Sequence, residues 1–346
     1  MIIRMTVLVV AFLAVILSGC GSSSTPSSVS GTSGGAPAKV RLGFFANATH
    51  AQALIGVSRG DFKKALGEST QLDTRVFNAG PEAVEAIFAG ELDVTYIGPS
   101  PAINAYLKSR GTAVKIVAGS AANGVVVVAR KDAGIAKLED LTGKRIASPQ
   151  FGNTQDVSAR HYITTVLKQK LKENGGETDV LPIKNAEQLT LFRTGQIDAA
   201  WAPEPWGARL IHEAEGVLIA EEKDLWPEKQ FTNTLLLVSS KFLKEHPQTV
   251  EKLVRSHVEI TRWLNANTAE GKTIVNAKLK ELTGKAIADK VLDDTFARTV
   301  YTTDPLPKTI ATFVDWSRDL GFTKEKQEID GIFDLTILKK VEGAAK

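Results

Sequence analysis

Ser148-Pro149-Gln150-Phe151-Gly152-Asn153-Thr154-Gln155-Asp156 is the stretch on which the reading of this chain turns. Before it, Lys144-Arg145-Ile146-Ala147 reads as the end of a strand. After it, Val157, Ile163, Val166, Leu167 and Leu171 fall near helical spacing. A helix is therefore expected from Asn153 or Thr154, with Gly152 turning the chain and Gln155 and Asp156 in the first turn. Free N–H groups at the positive end of a helix dipole suit an anionic or polar ligand group. The same residues would equally serve an ordinary capped turn, so the rest of the chain decides.

Working outward, strands and helices alternate on both sides. Val40 to Phe45 is a strand ending in Asn47-Ala48-Thr49-His50-Ala51, and Thr74 to Phe77 runs into Asn78-Ala79-Gly80-Pro81. Asp93 to Ile97 ends at Gly98-Pro99-Ser100-Pro101, and Val114 to Ala118 precedes Ser120-Ala121-Ala122-Asn123. This alternation predicts α/β lobes with mostly parallel sheets, whose ligands bind beyond the carboxyl ends of the strands. Gly195-Gln196-Ile197-Asp198-Ala199-Ala200-Trp201 echoes Gly90-Glu91-Leu92-Asp93-Val94-Thr95-Tyr96, a duplicated layout. The apolar runs Gly124–Ala129 and Phe231–Ser239 are candidate crossings between lobes. The expected divisions are a first lobe over 39–122, a second over 123–232, and a return over 233–346 whose helices pad the first lobe. In that return, His257 lies on an apolar stripe and is expected as a half-buried packing residue.

The chain has 346 residues, 43% hydrophobic and 23% charged, enough for two cored lobes. Its formal charge of +3 is small and interleaved, which argues against nucleic acid as a partner. Cys20 is the sole cysteine, so an internal disulfide framework and a cysteine-ligated metal site are excluded. Residues 1–19, with Arg4 before an apolar run, read as a secretory signal. Leu17-Ser18-Gly19-Cys20 resembles the bacterial lipobox, which makes Cys20 the lipidation site. The Gly/Ser/Thr/Ala/Pro-rich stretch over 20–38 is a flexible tether of roughly 24 Å mean reach.

Searches for chemistry find little. There is no G-x-G-x-x-G or G-x-S-x-G, and Gly271-Lys272-Thr273 has Ala266 where a phosphate loop needs its first glycine. The five histidines are scattered. No enzyme activity, metal or cofactor is expected.

Four motifs in order, behind a lipobox and tether, carry a resemblance. They are Asn47–Ala51, Gly90–Pro101, Gly152–Asp156, and Gly195–Trp201 with Ala202-Pro203-Glu204-Pro205-Trp206. The chain resembles the solute-binding lipoproteins of bacterial ABC importers, in the group serving nitrate, taurine and aliphatic sulfonates, with thiamine precursors carried by relatives. The resemblance implies a two-lobed periplasmic-binding-protein fold of type II, with two hinge strands and the ligand in the cleft. It implies a monomer, lipid-anchored outside the cytoplasm, that delivers a small oxyanion to a permease driven by an ATPase. The implied pocket residues are Asn47, Thr49, His50, Gly98, Pro99, Ser100, Asn123, Gly152, Asn153, Thr154, Gln155, Trp201, Glu204 and Trp206. Gln52 departs from the proline common in relatives. Glu204 is expected to face the cleft, where it would favour a ligand with an amine. The alternatives are an enzyme on the same scaffold and a ligand-sensing module.

Overall fold

The computed structural model describes residues 36–323 and 329–344; Cys20, the signal segment and the tether up to residue 35 lie outside them. The strands, in chain order, are β1 Lys39–Phe45, β2 Gln71–Phe77, β3 Val94–Ile97, β4 Val114–Asn123, β5 Val125–Ala129, β6 Arg145–Ser148, β7 Asp179–Pro182, β8 Ala199–Pro203, β9 Val217–Glu221, β10 Thr232–Ser239 and β11 Thr299–Tyr301. They form two sheets, ordered β11-β4-β10-β3-β1-β2 and β7-β6-β8-β5-β9. In the first, β1 runs parallel to β2 and β3, while β10 is antiparallel to both β3 and β4. In the second, β6 runs parallel to β7 and β8, while β5 is antiparallel to both β8 and β9. At its edge the first sheet adds β11, antiparallel to β4. Each sheet is thus a mostly parallel set with one reversed strand inside it, β10 in the first and β5 in the second.

Those reversed strands follow the chain's passages between the lobes. The backbone leaves the first sheet at Asn123, turns at Gly124 with φ +70°, and enters the second as β5. It returns after β9 as β10. Both strands are flanked by neighbours in the sheet and covered on both faces. Val125-Val126-Val127-Val128-Ala129 is buried throughout, and Leu235, Leu236, Leu237 and Val238 are buried in β10. This is why both read as unbroken apolar runs rather than alternating ones.

The duplicated layout has a physical counterpart. Arg41 on β1 donates from its backbone N (2.8 Å) and Nε (2.9 Å) to Asp93 Oδ2, and its Nη1 reaches the Gly90 carbonyl. Arg145 on β6 donates from its backbone N and Nε, both at 2.9 Å, to Asp198 Oδ2, with Nη2 on the Gly195 carbonyl at 2.8 Å. The Gly-x-x-Asp of each lobe therefore clasps the first strand of its own parallel set.

The C-terminal helices do more than pad the first lobe. Pro247–Ala266 lies against it, and His257 is fully buried there rather than half-buried. Its ring bonds the Tyr96 hydroxyl (Nδ1, 2.9 Å) and the Gly119 carbonyl (Nε2, 2.8 Å). Asp289–Arg298 packs instead on the Trp206–Glu213 helix of the second lobe. Pro307–Asp319 touches the helices Pro99–Lys108 and Thr154–His161, one from each lobe. Around it, Trp226, Phe231, Phe313 and Trp316 form an aromatic cluster with ring centroids 4.6–5.3 Å apart.

Candidate functional site

The turn at Ser148–Asp156 forms a helix start. Asn153 accepts from the Asp156 N–H at 2.9 Å as the N-cap, and the helix runs Thr154–His161 before a wider turn over Tyr162–Val166. It stops short of Leu171, because Lys168 takes a left-handed conformation at φ +57°. Asp156 holds the loop together. It accepts from Ser148 Oγ at 2.8 Å, the Gly152 N–H at 2.9 Å and Arg160 Nε at 2.9 Å. Its carboxyl is pushed up by burial and drawn back by Arg160 and these bonds.

A small cavity of about 20 Å³ lies between this start and the first lobe. Of the expected residues, Asn47, Thr49, His50, Gly98, Asn153, Thr154 and Gln155 line it, joined by Phe45, Asn78, Ala79, Gly80, Pro101, Pro149, Asn185, Pro203 and Asn233. No ionised side chain is among them. Four helices begin at its wall instead: Gly80–Phe88, Pro99–Lys108, Thr154–His161 and Asn185–Arg193. A helix start leaves N–H groups without intrahelical partners at the positive end of its dipole, so a cavity lined by four such starts suits an anion. The volume compares with roughly 10–15 Å³ for one water on the same measure, so only a compact group fits.

His50 is a neutral donor there. Burial lowers its pKa to about 3, and Nδ1 accepts the Phe45 N–H at 3.3 Å, which leaves the proton on Nε2. Thr154 Oγ1 and Asn185 Oδ1 are buried without a hydrogen-bond partner among the described residues. The lobes meet tightly beside them: a Cβ on Gly98 would stand 2.3 Å from Thr154 Oγ1. Gln155 Nε2 reaches Asn233 Oδ1 on β10 at 3.4 Å, and Asn233 Nδ2 donates to the Asn123 carbonyl at 2.7 Å.

The remaining expected residues sit elsewhere. Glu204 does not face the cavity: its Oε1 takes Arg298 Nη1 at 2.9 Å, and its Oε2 takes the Ala208 N–H at 3.0 Å and Thr295 Oγ1 at 3.2 Å. A buried carboxylate of this kind is stable only where a cation and donors converge on it, and Arg298 supplies the cation. Trp201 is interior to the second lobe, its Nε1 donating to Glu222 at 2.5 Å. Asn123 accepts the Phe231 N–H at 3.2 Å, bracing the two crossings. Gly152, at φ +74°, packs beside Phe322. Pro99 and Ser100 are buried in the first turn of their helix, off the cavity wall. Trp206 stands at the cavity's margin, with Nε1 donating to Asn47 Oδ1 at 2.9 Å. Gln52 is turned away, bonding the Ser120 carbonyl and Thr261.

Strand-end reasoning would have found Asn78–Gly80 after β2 and Asn185 after β7. Asn233 carries no local signal, since it arrives on the return strand.

Residues 33–278 match the model of the NMT1-like family. A binding protein of Brucella abortus is 28% identical over 224 residues, covering 63% of this chain and 66% of that protein. The taurine-binding periplasmic protein of Escherichia coli is 25% identical over 213 residues, covering 61% of this chain and 63% of that one. Both matches thus span slightly under two thirds of the relative's length. Among solved structures, the alkanesulfonate-binding protein of Xanthomonas axonopodis pv. citri bound to MOPS superposes with a TM-score of 0.67. It is 19% identical, with 83% of this chain and 93% of that one covered, a likeness of fold.

Proposed function

The chain belongs to the NMT1-like family, and on that premise we propose that it captures a small oxyanion for an ABC importer, with an aliphatic sulfonate or taurine as the ligand. The observation that carries this reading is the uncharged cavity at the start of four helices. A sulfonate stays anionic at any relevant pH and offers three acceptors. N–H groups at the helix starts, the His50 Nε2–H and the Thr154 hydroxyl satisfy these without a full counter-charge. The protein acts outside the cytoplasm, anchored through lipid on Cys20, and hands its ligand to a permease driven by an ATPase. It carries out no chemistry on the ligand. With Glu204 engaged by Arg298, no carboxylate at the cavity favours an amine, so simple sulfonates rank with taurine.

Ligand access requires the lobes to part, because Gly98 and Thr154 close on each other. Calorimetric titration with methanesulfonate, taurine, nitrate and a pyrimidine precursor of thiamine tests the assignment. Heat of binding from a sulfonate is the expected result. Silence from every oxyanion would sink it.

A further inference from the structure

Four carboxyl side chains are buried among the described residues, and three of them meet an arginine. Asp93 Oδ2 takes Arg41 Nε, Asp156 Oδ2 takes Arg160 Nε and Glu204 Oε1 takes Arg298 Nη1, each at 2.9 Å. Glu222 is the fourth, and its donors are all uncharged. Its Oε2 accepts the Trp201 Nε1–H at 2.5 Å; its Oε1 accepts the Ser158 hydroxyl at 2.7 Å and the Trp226 Nε1–H at 3.3 Å. A carboxylate enclosed without a cation is costly. The neutral carboxyl is not, because the Ser158 hydroxyl can turn to accept from it. Burial accordingly pushes Glu222 up to about 7, against the pull of the three donors.

The charges on the surrounding elements are turned elsewhere. On the Thr154–His161 helix, Asp156 and Arg160 bond each other, and His161 stacks on Trp316 with ring centroids 4.1 Å apart and Asp319 in reach. Lys223 bonds Glu221 at the end of β9, Asp224 meets Lys229 at 3.5 Å, and Glu228 meets Lys308 at 3.6 Å. Asp315 and Arg318 pair at 3.0 Å on the Pro307–Asp319 helix. β5 and β8 carry no titratable side chain, and Tyr162 lies against Trp201 with ring centroids 5.8 Å apart.

We propose that Glu222 couples proton uptake to closure of the lobes, so that ligand capture strengthens as the surroundings turn acidic. The proposal rests on the oxyanion reading above and adds the regulation of that site. Two placements carry it. Glu222 holds Ser158 on the helix whose start forms the anion cavity, and it stands where the chain leaves β9 for the return crossing. Trp226, its third donor, stacks on Phe231 at 5.2 Å and meets Phe313 and Trp316 at 4.9 and 4.6 Å. Those last two rings belong to the helix that touches both lobes. Parting the lobes slides that helix along one of them and admits water to the carboxyl past Trp226. Wetting returns Glu222 towards its ordinary 4.5. Closing therefore takes up a proton between those values, and the gain in affinity is lost as pH rises through about 7.

Calorimetry of methanesulfonate binding in two buffers of different ionisation enthalpy counts the protons taken up with the ligand. At about pH 6.5 the native protein should take up at least about half a proton more than Glu222→Gln, a difference free of any contribution from His50 or His161. At about pH 8, Glu222→Gln imitates the neutral carboxyl and should bind methanesulfonate at least about tenfold tighter than the native protein. Ser158→Ala, which guards against misfolding of the first variant, deletes a donor that favours the charged form. Its proton uptake at about pH 7.5 should exceed the native value. Equal proton counts in the native protein and Glu222→Gln, no tightening by Glu222→Gln at the higher pH, or an uptake unchanged by Ser158→Ala overturn the coupling and leave the oxyanion reading in place. No heat from methanesulfonate or taurine with the native protein overturns that reading and the coupling with it.

Discussion

Trp206 Nε1–H donates to Asn47 Oδ1 at 2.9 Å, joining the helix start after β8 in the second lobe to the turn after β1 in the first. Both residues come from strand ends, and the bond forms only when the lobes are together. It therefore contributes to the closed arrangement and not to the stability of either lobe alone. Trp206→Phe keeps an aromatic ring at the position and removes the indole N–H donor. A bond of this kind is worth about 0.5–1.5 kcal/mol, so sulfonate affinity should fall several-fold while the melting temperature changes little. Titration alongside thermal unfolding separates the two; unchanged affinity would show that the bond plays no part in closure.

Thr154 and Asn153 should respond differently to substitution. Thr154→Val keeps the shape and deletes a buried hydroxyl that has no partner among the described residues, so affinity should drop about tenfold with stability preserved. Asn153→Ala removes an N-cap and should cost about 1 kcal/mol of stability in addition to affinity. If Thr154→Val binds as tightly as the native protein, the Ser148–Asp156 turn is structural only.

Gly98 controls how nearly the lobes approach. A valine there brings methyl groups against Thr154 Oγ1 and the Asn233 carbonyl, and the lobes must stay apart. Small-angle scattering of Gly98→Val is expected to show the same extended profile with and without sulfonate, whereas the native protein contracts on binding. Contraction of the variant to the native dimensions would contradict this account of the cleft.

Much of this arrangement is legible in the sequence, for identifiable reasons. Turns at strand ends carry Asn, Gly and Pro in recognisable order, which points to Asn47–His50 and Gly98, and the family resemblance adds Asn153, Thr154 and Gln155, while Gly152 lies off the cavity wall beside Phe322. Glu204 could not be placed that way. Its partner Arg298 lies 94 residues further on, and only the packing of Asp289–Arg298 on the second lobe brings them together. Trp201 and Trp206 differ by one turn of chain, yet one ring points into the lobe and the other to its margin, a distinction of strand facing against helix start. Asn233 enters the site on a strand whose neighbours in the sheet were made far earlier.

The response to acid passes through several buried groups, of which His50, His257 and Glu222 are fully buried imidazoles and a fully buried carboxyl. Burial holds His50 at about 3 and His257 at about 4, below the 6.5 of an exposed imidazole. The unfolded chain then binds more protons below pH 6.5, and stability falls with pH. Glu222 opposes this: burial raises it from 4.5 to about 7, so between those values the folded chain holds the extra proton. Each group contributes about 1.4 kcal/mol per pH unit within its window; His161, lowered by burial, adds to the side of the imidazoles, while Asp156 and Glu204, raised by burial, add to that of Glu222. Urea unfolding at stepped pH reads this slope. Glu222→Gln removes one opposing group and should make the loss of stability on acidification steeper by about 1.4 kcal/mol per unit between pH 6.5 and 4.5. A profile unchanged by Glu222→Gln would refute the account of Glu222 as a buried carboxyl that holds its proton in the folded chain.

The position of β10 has a consequence for how the chain is made. The second lobe takes all five of its strands from the unbroken segment Val125–Glu221, so it can assemble as soon as that segment leaves the ribosome. The first sheet cannot, because the slot between β3 and β4 is filled by Thr232–Ser239, synthesised only after the whole second lobe. Until then β3 and β4 present open edges, the feature most prone to wrong pairing. Proteolysis of nascent chains arrested before Thr232 and after Ser239 should find the second lobe protected in both, and the β3–β4 region protected only in the longer chain.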